Sequence, residues 1–484
     1  MNYKMMERLN AQILAIEAVF MLPPLFICLA DHDRTGALSF VLTMLITVAV
    51  AGILALLSKG AKRDFYAREG LVSVGLSWII MSLLGCLPFV FSKQIPAYID
   101  ALFETVSGFT TTGASIISDL EKMTRGMLYW RSFTHWVGGM GVLVFLLAIV
   151  PVSGRSEGFT MHLLRAESPG PDVGKLVPKM RQTALILYAT YLVLTVLAIV
   201  FYTAGGMPLF EAVCNAYGTA GTGGFGVHND SFAGYSPYLQ TVCGVFMLLF
   251  GINFSCYFLL LMGHFKTVFK DNELRLYLGV VFCSVAIITI NIRNLYATFG
   301  ETLRQSFFQV SSIITTTGFS TADFDRWPAL SKGILLCLMV VGACAGSTGG
   351  GLKFARLLLL IKGMRRNISQ VLRPRRVQVV RVNEKTVDEK IIANTNAYFA
   401  TYVLIIVVSF LIVSLDEFSI TTNFSAVLAT LNNIGPGFDS VGPALNYSGF
   451  SVLSKIVLIF DMLAGRLEIF PILVLFFPSA WKRR

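Results

Sequence analysis

Charged side chains are scarce in this 484-residue chain: 14% of the residues are Asp, Glu, Lys or Arg, whereas 55% are hydrophobic. A soluble domain carries about 25% charged residues, so these proportions exclude an ordinary set of soluble domains. The formal net charge of +11 does not indicate nucleic-acid binding, because the basic residues cluster in short segments between apolar runs. That distribution is typical of an integral membrane protein.

Several chemical motifs are also missing. The eight cysteines occur singly, without a C-x-x-C pair, which indicates neither a disulfide framework nor a zinc site. The five histidines lack the spacing of metal ligands, and no Ser/His/Asp or Cys/His arrangement is visible. No G-x-G-x-x-G unit follows a strand. We therefore expect no enzyme activity and no cofactor in this chain.

What the chain does contain is a polar Thr/Gly stretch that occurs four times, roughly a hundred residues apart, a periodicity that fixes the architecture. The copies are SGFTTTGAS (107–115), YGTAGTGGFG (217–226), SSIITTTGFST (311–321) and LNNIGPGFDS (431–440). Their aligned glycines are Gly113, Gly223, Gly318 and Gly435. A polar loop that recurs between apolar spans predicts four equivalent loops around one axis.

Each copy follows an apolar segment too short to span a bilayer, and long apolar runs of about 20 residues flank the pair. The short segments are 98–109, 209–217, 303–314 and 422–431. The flanking spans are 71–91 with 129–150, 184–202 with 239–262, 276–290 with 334–361, and 398–415 with 452–477. Two further spans, 11–30 and 38–57, precede the first repeat.

The predicted fold is therefore an all-α membrane protein with ten transmembrane helices. Two of them lead the chain, and eight belong to four pseudo-repeated units of span, pore helix, filter loop and span around one pore. The predicted boundaries are 1–58 for the leading helices, 59–155, 156–265 and 266–365 for the first three repeats, and 366–484 for the fourth. With ten spans, every Lys/Arg-rich loop and both termini fall on the cytoplasmic side.

Unpaired backbone is tolerated in a bilayer only where it lines a cavity or binds an ion. Glycines let the backbone carbonyls point inward, and four such strands can replace the water shell of a cation. The short helices end at the loops, so their negative dipole ends also favour a cation there. The chemistry indicated is an oxygen cage for a weakly hydrated monovalent ion, against the plainer alternative that Gly and Thr serve only helix packing.

A second element is the sequence GACAGSTGGG at 342–351, in the middle of the last span of the third repeat. Glycine costs a helix about 1 kcal/mol relative to alanine, so this span should break into a loop below the Thr/Gly loops. We expect this loop to be a gate, with close packing as the alternative. Arg466 lies alone in the final span, where it should face the interior and bind the freed carbonyls, or else form an ordinary buried ion pair.

Five strings carry a resemblance to a known family: HWVGGMGVLVFLLAIVP (135–151), LLRAESPGP (163–171), AGSTGGGLK (345–353), LNNIGPGF (431–438) and GRLEIFP (465–471). Together with the fourfold unit, they resemble the Trk/Ktr/HKT superfamily of potassium transporters, most closely its bacterial Trk-type membrane subunits. The resemblance covers nearly the whole chain and implies gated, channel-like potassium uptake across the bacterial inner (plasma) membrane. It also implies a homodimer and a cytoplasmic nucleotide-binding regulatory ring, TrkA.

By that resemblance, four residues of each loop form a potassium selectivity filter: Thr110, Thr111, Thr112 and Gly113; Ala220, Gly221, Thr222 and Gly223; Thr315, Thr316, Thr317 and Gly318; Asn432, Asn433, Ile434 and Gly435. The glycines of the second loop allow more than one alignment, so its register can differ by one residue. The gate comprises Gly346, Ser347, Thr348, Gly349, Gly350, Gly351 and Arg466. Because the four loops differ, we expect weaker selectivity for potassium over sodium than in a symmetric channel.

The main alternative is a secondary active transporter of another cation or small solute, which would use broken helices and inverted repeats. The repeats here all enter from the basic side, which argues against it.

Glu104 and Glu211 are expected to complement the dipoles of the first two short helices, with attraction of cations as the alternative. His135, four residues after Arg131, is expected to pack at an interface, with a functional role as the alternative.

Overall fold

The computed structural model describes residues 1–61, 67–141, 180–375 and 378–482. Nearly all regular structure in these ranges is helical, and one two-stranded antiparallel ribbon pairs β1 (Arg381–Val382) with β2 (Lys385–Thr386). The leading helices are α1 (Tyr3–Phe20), α2 (Leu22–Ala30) and α3 (Arg34–Leu57). Asn2 caps α1, and Asp33 caps α3 through the Gly36 N–H.

The same order of elements then occurs four times: a long helix, a short helix, a Thr/Gly loop and a further helix. The long helices are α4 (Ala67–Gly85), which α5 (Leu87–Phe91) extends, α8 (Met180–Ala204), α13 (Asn272–Asn291) and α17 (Glu389–Val413). The short helices are α6 (Tyr98–Phe109), α9 (Leu209–Ala220), α14 (Phe299–Ile314) and α18 (Ile420–Leu431). The helices after the loops are α7 (Arg125–Gly139), α10 (Pro237–Phe250) with α11 (Phe254–Leu261), α15 (Ala329–Val341) with α16 (Phe354–Leu372), and α19 (Val452–Arg466) with α20 (Phe470–Leu473).

Short connecting elements complete the fold. They are α12 (Phe265–Phe269), α21 (Pro478–Trp481) and the 3-10 turns Leu120–Lys122, Arg293–Leu295, Phe324–Arg326, Ser414–Asp416, Asp439–Val441 and Val474–Phe476. The second half of the predicted span 129–150 and the string at 163–171 lie outside the described residues.

The helices that follow the second, third and fourth Thr/Gly loops are interrupted, whereas the sequence predicts an interruption only in the third repeat. The predicted continuous span 239–262 is wrong: α10 and α11 meet at an angle of 89°. The predicted continuous span 452–477 is also wrong, because α19 ends at Arg466 and both Glu468 and Ile469 adopt positive φ angles. In the third repeat, α15 ends at Val341 and α16 begins at Phe354.

Six helical segments of the described residues are long and apolar enough to cross a membrane, or seven if the bent pair α10–α11 counts as one span. They are Tyr3–Ala30, Arg34–Leu57, Arg68–Phe91, Ala184–Ala204, Asn272–Asn291 and Glu389–Asp416. The other predicted spans are the broken helices and the partly described 129–150. The number of ten spans therefore stays a prediction.

Burial is inverted relative to a soluble protein. Large apolar side chains such as Leu45 and Ile53 on α3 and Leu404 on α17 are exposed, whereas the Thr/Gly loops and the C-terminal halves of the short helices are buried. The buried polar residues include Thr110, Thr316 and their neighbours in the loops. An apolar rim around a polar centre suits a bundle that faces lipid and encloses a polar path.

Candidate functional site

The four Thr/Gly loops share one backbone conformation at the end of their short helices. In the first loop the N–H groups of Thr110, Thr111 and Thr112 donate to carbonyl oxygens four, three and five residues earlier, at 2.8, 3.0 and 2.8 Å. The same pattern of four, three and five recurs at 221–223, 315–317 and 432–434. Identical hydrogen bonding makes these positions structurally equivalent.

Backbone angles confirm the equivalence and correct the register of the second loop. The second residue of each loop has a positive φ: Thr111 (55°), Thr222 (52°), Thr316 (59°) and Asn433 (54°). So does the closing glycine: Gly113 (77°), Gly224 (79°), Gly318 (83°) and Gly435 (96°). The second loop is therefore Gly221–Gly224, one residue beyond the predicted Ala220–Gly223, because Ala220 is still the last residue of α9.

The loops contact one another in a closed ring. A Cβ atom built on each closing glycine would strike the carbonyl oxygen of the third residue in the next loop. The pairs are Gly113 with Gly223 (2.0 Å), Gly224 with Thr317 (2.0 Å), Gly318 with Ile434 (2.0 Å) and Gly435 with Thr112 (2.7 Å). We call this set of contacts the carbonyl–glycine ring. It shows that the four loops surround one axis in chain order and that only glycine fits at their ends.

Side chains behind the ring differ between the loops. The hydroxyl groups of Thr110 and Thr112 lie 2.8 Å apart, as do those of Thr315 and Thr317. In the fourth loop Asn433 replaces a threonine, and its Nδ2 donates to Thr112 Oγ1 (3.0 Å) and to the Met462 carbonyl (2.9 Å). The ring is thus fourfold in its backbone but not in its side chains.

An open cavity of about 150 Å³ lies on one side of the ring, which we call the cavity side. All four closing glycines line it, together with Arg131 and other residues that follow the loops. Asp439 lies just past the fourth loop and accepts hydrogen bonds from Ser419 and from Thr422 (2.8 Å). These bonds lower the pKa of Asp439, which keeps a negative charge near this side of the ring.

A buried ion pair connects the first two loops. Arg131 Nε donates to Glu104 Oε1 at 2.6 Å, and both side chains are at most 3% exposed. Glu104 also accepts from the Ile116 N–H (2.9 Å), whereas the Arg131 Nη1 donates to the Gly226 carbonyl (3.0 Å). The expectation that Glu104 complements a helix dipole is therefore wrong, since it lies in the middle of α6 and faces an arginine.

The structure places two further residues that the sequence singles out. His135, one turn after Arg131, packs between the first two loops and is completely buried there. Glu211 does lie in the first turn of α9, and its carboxylate accepts a hydrogen bond from Tyr235 at 2.7 Å. The surroundings of His135 and Glu104 could not be predicted from the hydrophobic periodicity of the sequence, because they depend on which helices pack together.

The Gly-rich segment (342–353) lies against the opposite side of the ring. Its Gly350 N–H donates to Thr316 Oγ1 at 2.6 Å, and a Cβ on Gly350 would lie 2.3 Å from the Asn432 carbonyl oxygen. It is also joined to the bend of the second repeat, where Phe254 N–H donates to the Gly346 carbonyl at 3.0 Å. The segment therefore contacts the second, third and fourth repeats directly beneath the ring.

Arg466 joins this segment to the first repeat. Its Nη1 donates to the Thr348 carbonyl at 2.7 Å, and its Nη2 donates to the Gly138 carbonyl and, at 2.6 Å, to the Gly139 carbonyl. The predicted contact between Arg466 and the freed carbonyls is confirmed. The partners of these hydrogen bonds are backbone carbonyl oxygens, one in the Gly-rich segment and two at the end of α7.

Two acidic residues bind at or just beyond the ends of the segment. Glu273 Oε1 accepts from the N–H groups of Ala345 (2.6 Å) and Ala355 (3.0 Å), so one carboxylate fastens both ends of the segment. Glu468 pairs with Arg356 on the first turn of α16. The only sequence signal for Glu273 is an acidic residue at the start of a predicted span.

In the described parts of the chain, no three His, Cys, Asp or Glu side chains lie where they could hold a metal ion. A family model described as "TrkH: Cation transport protein" matches residues 37–483. The chain belongs to the TrkH family of cation transport proteins. This confirms the resemblance that the sequence strings carry.

Relatives in the TrkH family align from end to end. The Trk system potassium uptake protein TrkH of Salmonella typhimurium is 37% identical over 100% of both chains, and that of Escherichia coli K12 is 36% identical over the same share. The crystal structure of the potassium transporter TrkH from Vibrio parahaemolyticus is similar to this fold, with a TM-score of 0.87 and 32% identity over 100% of both chains.

Replacement of Glu104 by Gln should lower the free energy of unfolding by about 3 kcal/mol, because Arg131 then keeps its charge in a buried site without a counter-ion. Chemical denaturation in detergent micelles measures this change. The matched control is Asp119→Asn, which breaks the exposed pair with Lys122 (2.8 Å) and should leave stability unchanged. Equal effects of the two variants would contradict the role assigned to the buried pair.

Proposed function

We propose that this protein mediates gated, channel-like potassium uptake across the bacterial inner membrane. The observation that carries the proposal is the carbonyl–glycine ring, in which four loops surround one axis at the negative ends of four short helices. Carbonyl oxygens in such a ring can replace the hydration shell of a weakly hydrated cation. The relatives that align over the whole chain are potassium uptake proteins, which supports potassium as the ion.

The proposed selectivity filter is formed by Thr110–Gly113, Gly221–Gly224, Thr315–Gly318 and Asn432–Gly435. The short helices α6, α9, α14 and α18 act as pore helices whose C-terminal dipoles stabilise a cation at the filter. Asn433 and Ile434 break the fourfold symmetry of the side chains. We therefore expect potassium to be preferred over sodium less strongly than in a symmetric filter.

The proposed gate is the Gly-rich segment with Arg466. The segment lies under the ring and touches the second, third and fourth repeats, and Arg466 joins it to the first repeat. A loop so placed obstructs an ion that has passed the ring. Arg466 and Glu273 each hold the segment through one side chain, so loss of their hydrogen bonds weakens its attachment and favours movement out of the path.

The surrounding arrangement is proposed on the same basis. Ten spans, with the repeat boundaries given above, place both termini in the cytoplasm and the cavity side of the ring outside the cell. A homodimer in which each chain has its own pore, and a TrkA-like nucleotide-binding ring on the cytoplasmic side, complete the assembly. The basic end of α16, with Lys362 and Arg365, suits either anionic lipid or that ring.

Replacement of Gly318 by Ala should abolish ion uptake, because its Cβ would lie 2.0 Å from the Ile434 carbonyl oxygen at a φ of 83°. Gly226→Ala is the matched control in a neighbouring loop, where the Cβ would meet no atom closer than 3.7 Å. Rubidium uptake into vesicles, and rescue of a potassium-uptake-deficient bacterium at low external potassium, measure the effect.

The wild type and Gly226→Ala should support uptake and rescue, and Gly318→Ala should support neither. Uptake that survives Gly318→Ala would contradict the filter, and a wild type that carries no rubidium would contradict the function itself. Uptake that required a proton or sodium gradient would instead favour a secondary active transporter.

Replacement of Arg466 by Ala should raise basal conductance, because the Gly-rich segment then loses its connection to the C-terminal end of α7 in the first repeat. Single-channel or flux measurements on the purified chain, without any cytoplasmic partner, test this expectation. Arg466→Lys keeps the charge but not the forked donor and should raise conductance less. Unchanged flux, or flux that is only lost, would count against a gate.

A further inference from the structure

The third position of each Thr/Gly loop carries its side chain behind the ring, and one loop lacks that side chain. Thr112 and Thr317 each hydrogen-bond a neighbouring threonine at 2.8 Å, and Ile434 is completely buried. The equivalent residue of the second loop is Gly223. The second loop therefore has no side chain of its own at this position to pack against the surrounding helices.

The imidazole ring of His135 occupies the space that Gly223 leaves. A Cβ on Gly223 would lie 2.4 Å from both Cγ and Nδ1 of His135. The ring also packs against Phe225, with the two ring centroids 4.2 Å apart, and it is completely buried. A side chain from α7 thus fills the position that a threonine or isoleucine fills in the other three loops.

Hydrogen bonds fix the orientation of this ring. Nδ1 lies 2.7 Å from the Gly108 carbonyl oxygen, near the end of α6, and Nε2 lies 3.2 Å from the Phe225 backbone nitrogen. A carbonyl can only accept and an N–H can only donate, so the ring must be the neutral tautomer with its proton on Nδ1. In that form it links the helix that leads into the first loop to the residue that follows the second loop.

We propose that His135 is a positioning residue for ion selectivity: its ring replaces the side chain missing from Gly223 and holds the second loop in register with the first. This inference rests on the proposed function of the loops as a filter. The carbonyl of Gly223 belongs to the ring, so a looser second loop moves an oxygen that contacts the ion. A filter with one loose wall admits the smaller sodium ion more readily.

The test is a double-mutant cycle between His135 and Gly223. His135→Ala should lower the potassium-to-sodium permeability ratio about tenfold, the size expected for loss of a coupled neighbour. Gly223→Thr should abolish flux, because its side chain collides with the histidine ring. The double variant His135→Ala/Gly223→Thr gives the second loop the same residue type as Thr112 and Thr317, and should restore the ratio to within about twofold of the wild type.

His135→Phe keeps a ring of similar size without either hydrogen bond, and should fold but still lower the ratio. His264→Ala, at an exposed histidine, is the matched control and should leave the ratio unchanged. Thermal unfolding followed by size-exclusion chromatography shows which variants are folded. A wild-type ratio in His135→Ala or His135→Phe, or a double variant that fails to recover, would overturn the inference. A wild type without potassium flux would overturn the proposed function instead.

Discussion

The contact on which this structure depends is that between a carbonyl oxygen of one loop and the closing glycine of the next. Four such contacts close the ring, and each requires a glycine both for its positive φ and for the absence of a Cβ. The helices around the ring bring four stretches that are distant in sequence close enough for these contacts. The short helices end at the loops with the same three hydrogen bonds, and the remaining helices form an apolar rim.

Polar and charged side chains surround the ring and hold it in place. Burying such groups in a membrane bundle has a high free-energy cost unless they have partners. Arg131, Glu104 and His135 contact the first two loops, Arg466 and Glu273 hold the Gly-rich segment, and Glu468 pairs with Arg356 just beyond that segment. Each of these groups meets a backbone group or an opposite charge. Buried polar side chains therefore stabilise both the ring and the Gly-rich segment beneath it.

Much of this arrangement could be predicted from the sequence, and the failures have a common cause. Repeated TTTG-like strings predicted the loops and their common axis, and the glycine density at 342–351 predicted the interruption of that helix. The bends at Gly251 and after Arg466 could not be predicted, because neither carries a comparable run of glycines. The register of the second loop was one residue off because Gly221, Gly223 and Gly224 fit several alignments, which only the hydrogen-bond pattern separates. The partners of Glu104 and His135 were missed because they come from helices distant in sequence.

The most direct test of the central claim is anomalous diffraction from crystals soaked in a rubidium salt. The account predicts an anomalous peak on the axis of the ring, between the carbonyl oxygens of the four third-position residues, Thr112, Gly223, Thr317 and Ile434. It also predicts that this peak disappears in Gly318→Ala. Rubidium bound elsewhere, with the ring left empty in a protein that transports the ion, would contradict it.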